Sequence, residues 1–197
     1  MGFKTLPSMS NNIQQFSDQA CLYLSNQDIN HKSDLLQYIM ELVSSLLCYQ
    51  YDDVVGNENI LMLIDMAVKG LLAQEESTVV QCQYFIHQLL TLFPNSISEP
   101  KTKYIILRLF NSYFVEIVQN CIQAMLTRDN LWCKKFSARI LCVMNNGENL
   151  GITPSFKIDE KLVYKSLKKC RKKIISFQYT EKMVMKIVKF VFCLNSA

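Results

Sequence analysis

Glycine and proline are scarce in this chain, at five and four residues. Nucleotide-binding α/β folds and β-sandwiches spend more of both on tight turns, so long periodic runs with few breaks favour helices. Histidine is scarcer still, at two residues, and no pair of the eight cysteines is spaced Cys-x-x-Cys. That excludes a zinc site of the usual kind. The cysteines fall mostly on apolar faces and read as buried free thiols, which suits a reducing compartment. There is no Asn-x-Ser/Thr acceptor, no apolar core segment in the first thirty residues and no uninterrupted apolar run of membrane-span length. Position 6 is Leu where a myristoylation signal needs Ser or Thr. The expectation is an intracellular protein, of nucleus or cytoplasm, with no membrane span.

Catalytic constellations are also missing. His31 lies in a polar stretch and His87 lies between Ile86 and Gln88. Cys82 and His87 are five apart, off a common helical face, so no Cys–His pair forms on one helix. Asp52 and Asp53 are neighbours in a predicted turn rather than two carboxylates in contrasting environments. Gly147-x-x-x-Gly151 lacks the Lys-Ser/Thr of a phosphate loop. The chain is therefore expected not to be an enzyme and to carry no cofactor or metal. An enzyme with an unrecognised site would need a deep pocket with converging polar groups.

What is present is apolar periodicity. Half of the 197 residues are hydrophobic and 19% are charged, enough apolar surface for a core over most of the chain. Residues 1–10, with Pro7, read as a flexible lead-in, and 11–197 as a single all-helical domain. Helices are expected at about Asn12–Ser25, Ser33–Tyr49, Glu58–Gln74, Ser77–Phe93, Lys101–Leu126, Leu131–Met144, Asp159–Phe177 and Glu181–Leu194. Ser33 and Ser77 read as N-caps, and 50–57 as a turn. Gly70 inside a helix costs about 1 kcal/mol relative to Ala, and a close helix–helix contact would account for it. Asp65 and Lys69, four apart, read as a favourable surface pair. Residues 145–157, with Gly147, Gly151 and Pro154, form the longest irregular stretch.

The segment Lys101–Leu126 reads as the central helix. Leu107, Phe110, Phe114, Ile117, Val118, Cys121 and Met125 recur at helical spacing, and Ile105, Leu109, Val115 and Ile122 widen the apolar surface. Such a helix is buried on several sides. Trp132, Phe136, Ile140 and Val143 share a face on the next helix, with Trp132 read as a core anchor. A Trp standing in a groove would instead suit a binding hot spot.

Paired into antiparallel hairpins, the units begin near 12, 58, 102 and 159, at intervals of about 46, 44 and 57 residues. In period and apolar pattern, over nearly the whole chain, the sequence resembles the HEAT/armadillo-type α-solenoid family. No signature residue carries the likeness. An irregular helical bundle would show the same helices without regular stacking. The resemblance implies an adaptor role of the kind seen in nuclear transport, in DNA-damage and chromosome complexes and in trafficking coats. Phe190, Val191 and Phe192 are apolar where an array's terminal face is polar. They are expected to fold inward, to be covered by a partner or to adjoin further repeats.

The charge layout is uneven. Residues 1–127 hold 6 Lys/Arg against 12 Asp/Glu, a balance of −6, while 128–197 hold 15 against 5, a balance of +10; together they give the net +4. The domain thus has an acidic half, 11–127, and a basic half, 128–197. Lys161, Lys165, Lys168 and Lys172 step along one face of the seventh predicted helix, and Lys169, Arg171 and Lys173 broaden it. Lys182, Lys186 and Lys189 make a shorter stripe on the eighth. A solvated face is the bland account of such a stripe. The functional account is a docking surface for an acidic partner protein, and the sequence-level expectation is a non-enzymatic scaffold. The alternative is a nucleic-acid-associated subunit of DNA-repair or chromosome type, holding phosphates by point charge with strong salt dependence. Lys far outnumbers Arg, and few aromatics interleave to stack on single strands. A membrane-surface role would need the helix's apolar face, which the core also needs.

Overall fold

The computed structural model describes residues 7–25, 32–93, 100–145 and 158–173. They form eight helices, with no strand among the described residues: α1 (Pro7–Ser25), α2 (Ser33–Tyr49), α3 (Tyr51–Val55), α4 (Ile60–Gly70), α5 (Glu76–Leu92), α6 (Pro100–Thr127), α7 (Leu131–Asn145) and α8 (Glu160–Lys173). The all-α class follows from the periodicity. Among the described residues the set of helices differs from expectation in one place. α3 replaces the turn predicted at 50–57, and the predicted helix Glu181–Leu194 lies outside the described residues, as do Phe190, Val191, Phe192 and most of the irregular stretch 145–157. The first helix also begins at Pro7 rather than near Asn12.

α3 has only five residues, too few to hold a helix by propensity. Tertiary anchors hold it instead. Val54 and Val55 are buried in the core, and the Tyr51 hydroxyl donates to the Leu89 carbonyl of α5 at 2.7 Å. Burial, with the neighbouring Asp52 charge second, raises the Tyr51 pKa and keeps this phenol a donor.

Packing brings together both consecutive helices and helices separated along the chain. α5 lies against both α2 and α7, and α6 lies against both α7 and α8. α4 packs on α5 and α6. The first residues of α2 and α5 meet where Thr78 Oγ1 donates to the Ser33 carbonyl at 3.1 Å. Further along, Leu36 and Cys82 meet around Gly70, so α2 and α5 run parallel. α5 and α7 are parallel too. Cys133 Sγ reaches the Glu76 carbonyl near their starts, and Gln83 Nε2 donates to Ser137 Oγ at 2.8 Å further on.

α6 takes the central place expected of it. Pro100 opens it at a position where its missing N–H is no loss. Ile106, Leu109, Phe110, Ile117, Val118, Cys121 and Ile122 are buried on it, toward α3, α4, α7 and α8. Phe110 and Phe114 stack with ring centres 6.0 Å apart. The apolar surface is narrower than the sequence suggests: Val115 is 48% exposed, and Leu107 and Met125 are only partly buried. One apolar cluster runs from Ala20 and Leu24 on α1 to Val163 and Leu167 on α8.

Gly70 ends α4 where the helix closes on Cys82 and Leu36, the close contact its presence calls for. Lys69 Nζ and Asp65 Oδ2 form the expected pair at 2.5 Å. The two serine caps are not formed. α2 begins at Ser33 itself, which is buried, and α5 begins at Glu76, one residue before Ser77; neither start has a side-chain cap bond. Caps form elsewhere. Asn130 Oδ1 accepts from the Trp132 and Cys133 amides at 2.8 and 3.4 Å, and Asp159 Oδ1 accepts from the Leu162 amide at 2.7 Å.

Candidate docking surfaces

α8 presents two contrasting faces. Val163, Ser166 and Leu167 are buried, the first and last in the common core. Ser166 needs no outside partner, because its hydroxyl donates to the Leu162 carbonyl at 2.7 Å. Lys161, Lys165 and Lys168 are exposed on the other face, with Tyr164 67% exposed among them. Their steps of four and three spread the row over about 10 Å of helix. None of the three has a carboxylate within ion-pair distance among the described residues. The Asp159 cap fixes where this helix starts and therefore which way the row points.

The remaining predicted basic residues divide in two. Lys169, Arg171, Lys172 and Lys173 lie within α8. Lys182, Lys186 and Lys189 lie outside the described residues. With Val163 and Leu167 committed to the core, this part of α8 has no free apolar face to lay on a membrane. No described helix is long and apolar enough to cross one.

The outer face of α7 is a second surface, and here the sequence reading needs correction. Trp132 is not a core anchor: it is 55% exposed, beside Leu131 at 75%. Its ring stacks on Phe136 at 6.0 Å, with 28° between planes. Phe136 is met edge-on by Tyr84 at 5.5 Å and His87 at 6.0 Å, both from α5. Lys135 Nζ stands 4.7 Å from the Trp132 ring centre and the Arg139 guanidinium 5.7 Å from that of Phe136. Helical spacing in the sequence, at 132, 135, 136 and 139, was the available signal for this cluster.

Burial shifts the titration of several groups on α5, α6 and α7. Burial first, and the nearby Arg139 charge second, lower the His87 pKa and keep the ring neutral. Burial pushes the Cys121 thiol up to about 12, opposed by a hydrogen bond with Ser137. The Cys133 thiol rises to about 11, through burial and then the Glu76 charge, against Arg128. Cys82 is raised by burial alone. No group of three or more His, Cys, Asp or Glu among the described residues could hold a metal ion.

A groove of about 790 Å³ lies between α1 and α2, lined mainly by Phe16, Ala20, Leu22, Tyr23, Leu35 and Ile39. Its polar rim includes Lys32, whose ammonium donates to the Tyr23 hydroxyl at 3.0 Å. No His, Cys, Asp or Glu is among its described lining residues. No family model, curated protein or solved structure matches this chain.

Proposed function

We propose that the chain is a non-enzymatic helical scaffold that docks an acidic partner protein on the basic face of α8. The observation that carries the reading is the division of α8. One side is fixed in the core by Val163 and Leu167, while Lys161, Lys165 and Lys168 stand in solvent with no carboxylate partner among the described residues. A row of ammonium groups on a helix seated in the core raises the local concentration of an anionic partner and orients it on approach. The parallel alignment of α2, α5 and α7, with α6 seated against both α7 and α8, supports a HEAT-like stacked array over an irregular bundle. Docking is favoured over catalysis by the neutral, ring-packed His87 and by the buried, protonated thiols. Those thiols also favour an intracellular setting, in nucleus or cytoplasm.

The test compares a labelled oligoglutamate peptide with a random-sequence DNA duplex, for the wild type and for the Lys161→Glu/Lys165→Glu/Lys168→Glu variant. The peptide is expected to bind and the variant to weaken it by about tenfold or more. Unchanged peptide affinity in the variant would reduce the row to a solvated face. Binding of the duplex in preference to the peptide, falling steeply between about 50 and 200 mM salt, would replace the protein partner with nucleic acid.

A further inference from the structure

The α7 surface lies apart from the α8 row in composition and in its packing: α7 is held by α5 and α6, and α8 by α6. A tryptophan and a leucine are left in solvent at the start of α7, while Cys133, Phe136 and Ser137 beside them are buried. Covering these two large apolar side chains would remove apolar surface from water and favour association. Phe136 supports the Trp132 ring, and Tyr84 and His87 support Phe136, so little side-chain freedom remains to be lost on binding.

Charge decides the kind of occupant. Lys135 and Arg139 are exposed and rest over aromatic rings, with no carboxylate in ion-pair reach among the described residues. The ion pair seen among the described residues, Lys69–Asp65, is on α4. A cation–π contact at an exposed site is weak and leaves ammonium and guanidinium hydrogens available to acceptors. Single-strand nucleic acid suits the patch poorly, because base stacking needs open ring faces. Trp132 already carries Phe136 and the Lys135 ammonium, and Phe136 is itself buried.

We propose that the outer face of α7 docks an acidic segment of a partner protein. An apolar side chain of the segment packs on Trp132 and Leu131, and its carboxylates reach Lys135 and Arg139. This surface is independent of the α8 row, so one partner can engage both or two partners can each take one.

Trp132 is the only tryptophan in the chain, so intrinsic emission reports this surface alone. The probes are a synthetic peptide of alternating Glu and Leu, the same peptide with Gln for Glu, and an oligothymidylate. The acidic peptide is expected to shift the Trp132 emission to the blue and to reduce its quenching by acrylamide. The Gln peptide should bind about tenfold more weakly, and Lys135→Glu/Arg139→Glu should weaken the acidic peptide to a similar extent. An unchanged thermal midpoint would show that the variant is folded. The α8 triple variant should leave the emission shift in place. An acidic peptide that leaves the emission unchanged overturns the proposal. So does a shift produced by oligothymidylate but not by the peptide, or a shift lost in the α8 variant and kept in the α7 variant.

Discussion

A methyl group on Gly70 would meet Cys82 Sγ well inside contact distance and Leu36 Cδ2 at 3.0 Å. Both neighbours are buried, so neither has free space to move into. Gly70→Ala is therefore expected to lower stability by about 1–3 kcal/mol, despite the better helix propensity of Ala. Adding Cys82→Ala should recover part of that loss, as denaturant midpoints of the single and double variants will show. Additive losses would mean that the clash lies elsewhere. His87 supplies a pH dependence at the same scale. Its pKa is lowered in the fold, so its contribution to stability is complete above the ordinary value of about 6.5 and is lost as pH falls through the lowered value. Between about pH 7.5 and 5.5 the wild type should lose more of its thermal midpoint than His87→Gln. Parallel losses would contradict this. From the sequence, a close helix–helix contact was one account of Gly70, because a helical glycine needs a reason; only the neighbours Cys82 and Leu36 establish it. The sequence could not indicate Trp132's exposure. Periodicity gives the angle of a side chain around its helix, and only the neighbouring helix decides whether that angle is covered.

Helix starts divide the elements into two kinds. Asn130 and Asp159 bind the free amides of α7 and α8, whereas α2 and α5 start without a side-chain cap. Asn130→Ala and Asp159→Ala should each cost about 1 kcal/mol. Ser33 and Ser77, equally good caps by residue type, sit inside their helices. Their starts are set by packing: Ser33 is buried and gives its carbonyl to Thr78. Replacing Ser77 with Ala, at an exposed position in the first turn of α5, should change stability by less than about 0.5 kcal/mol. Urea midpoints for the three variants check the division, and a Ser77→Ala loss as large as the other two would contradict it. Element identity and the central place of α6 were legible because long apolar periodicity survives almost any tertiary context. α3 was not legible, because Tyr51, Val54 and Val55 are ordered by contacts from outside the segment.

At the scale of the whole molecule, the acidic first part and the basic second part share one apolar core that runs from α1 to α8. α6 touches helices of both parts, so α8 is seated on the same central element that organises the rest. The charge reversal along the chain was plain in the sequence. The choice of which lysines stand clear of the core needed the burial of Val163 and Leu167. The most direct measurement is lysine footprinting by acetylation and mass spectrometry, with and without a saturating oligoglutamate peptide. Lys161, Lys165 and Lys168 should be protected by the peptide while Lys69, paired with Asp65, changes little. Equal acetylation of the three α8 lysines with and without the peptide would contradict the proposed docking face.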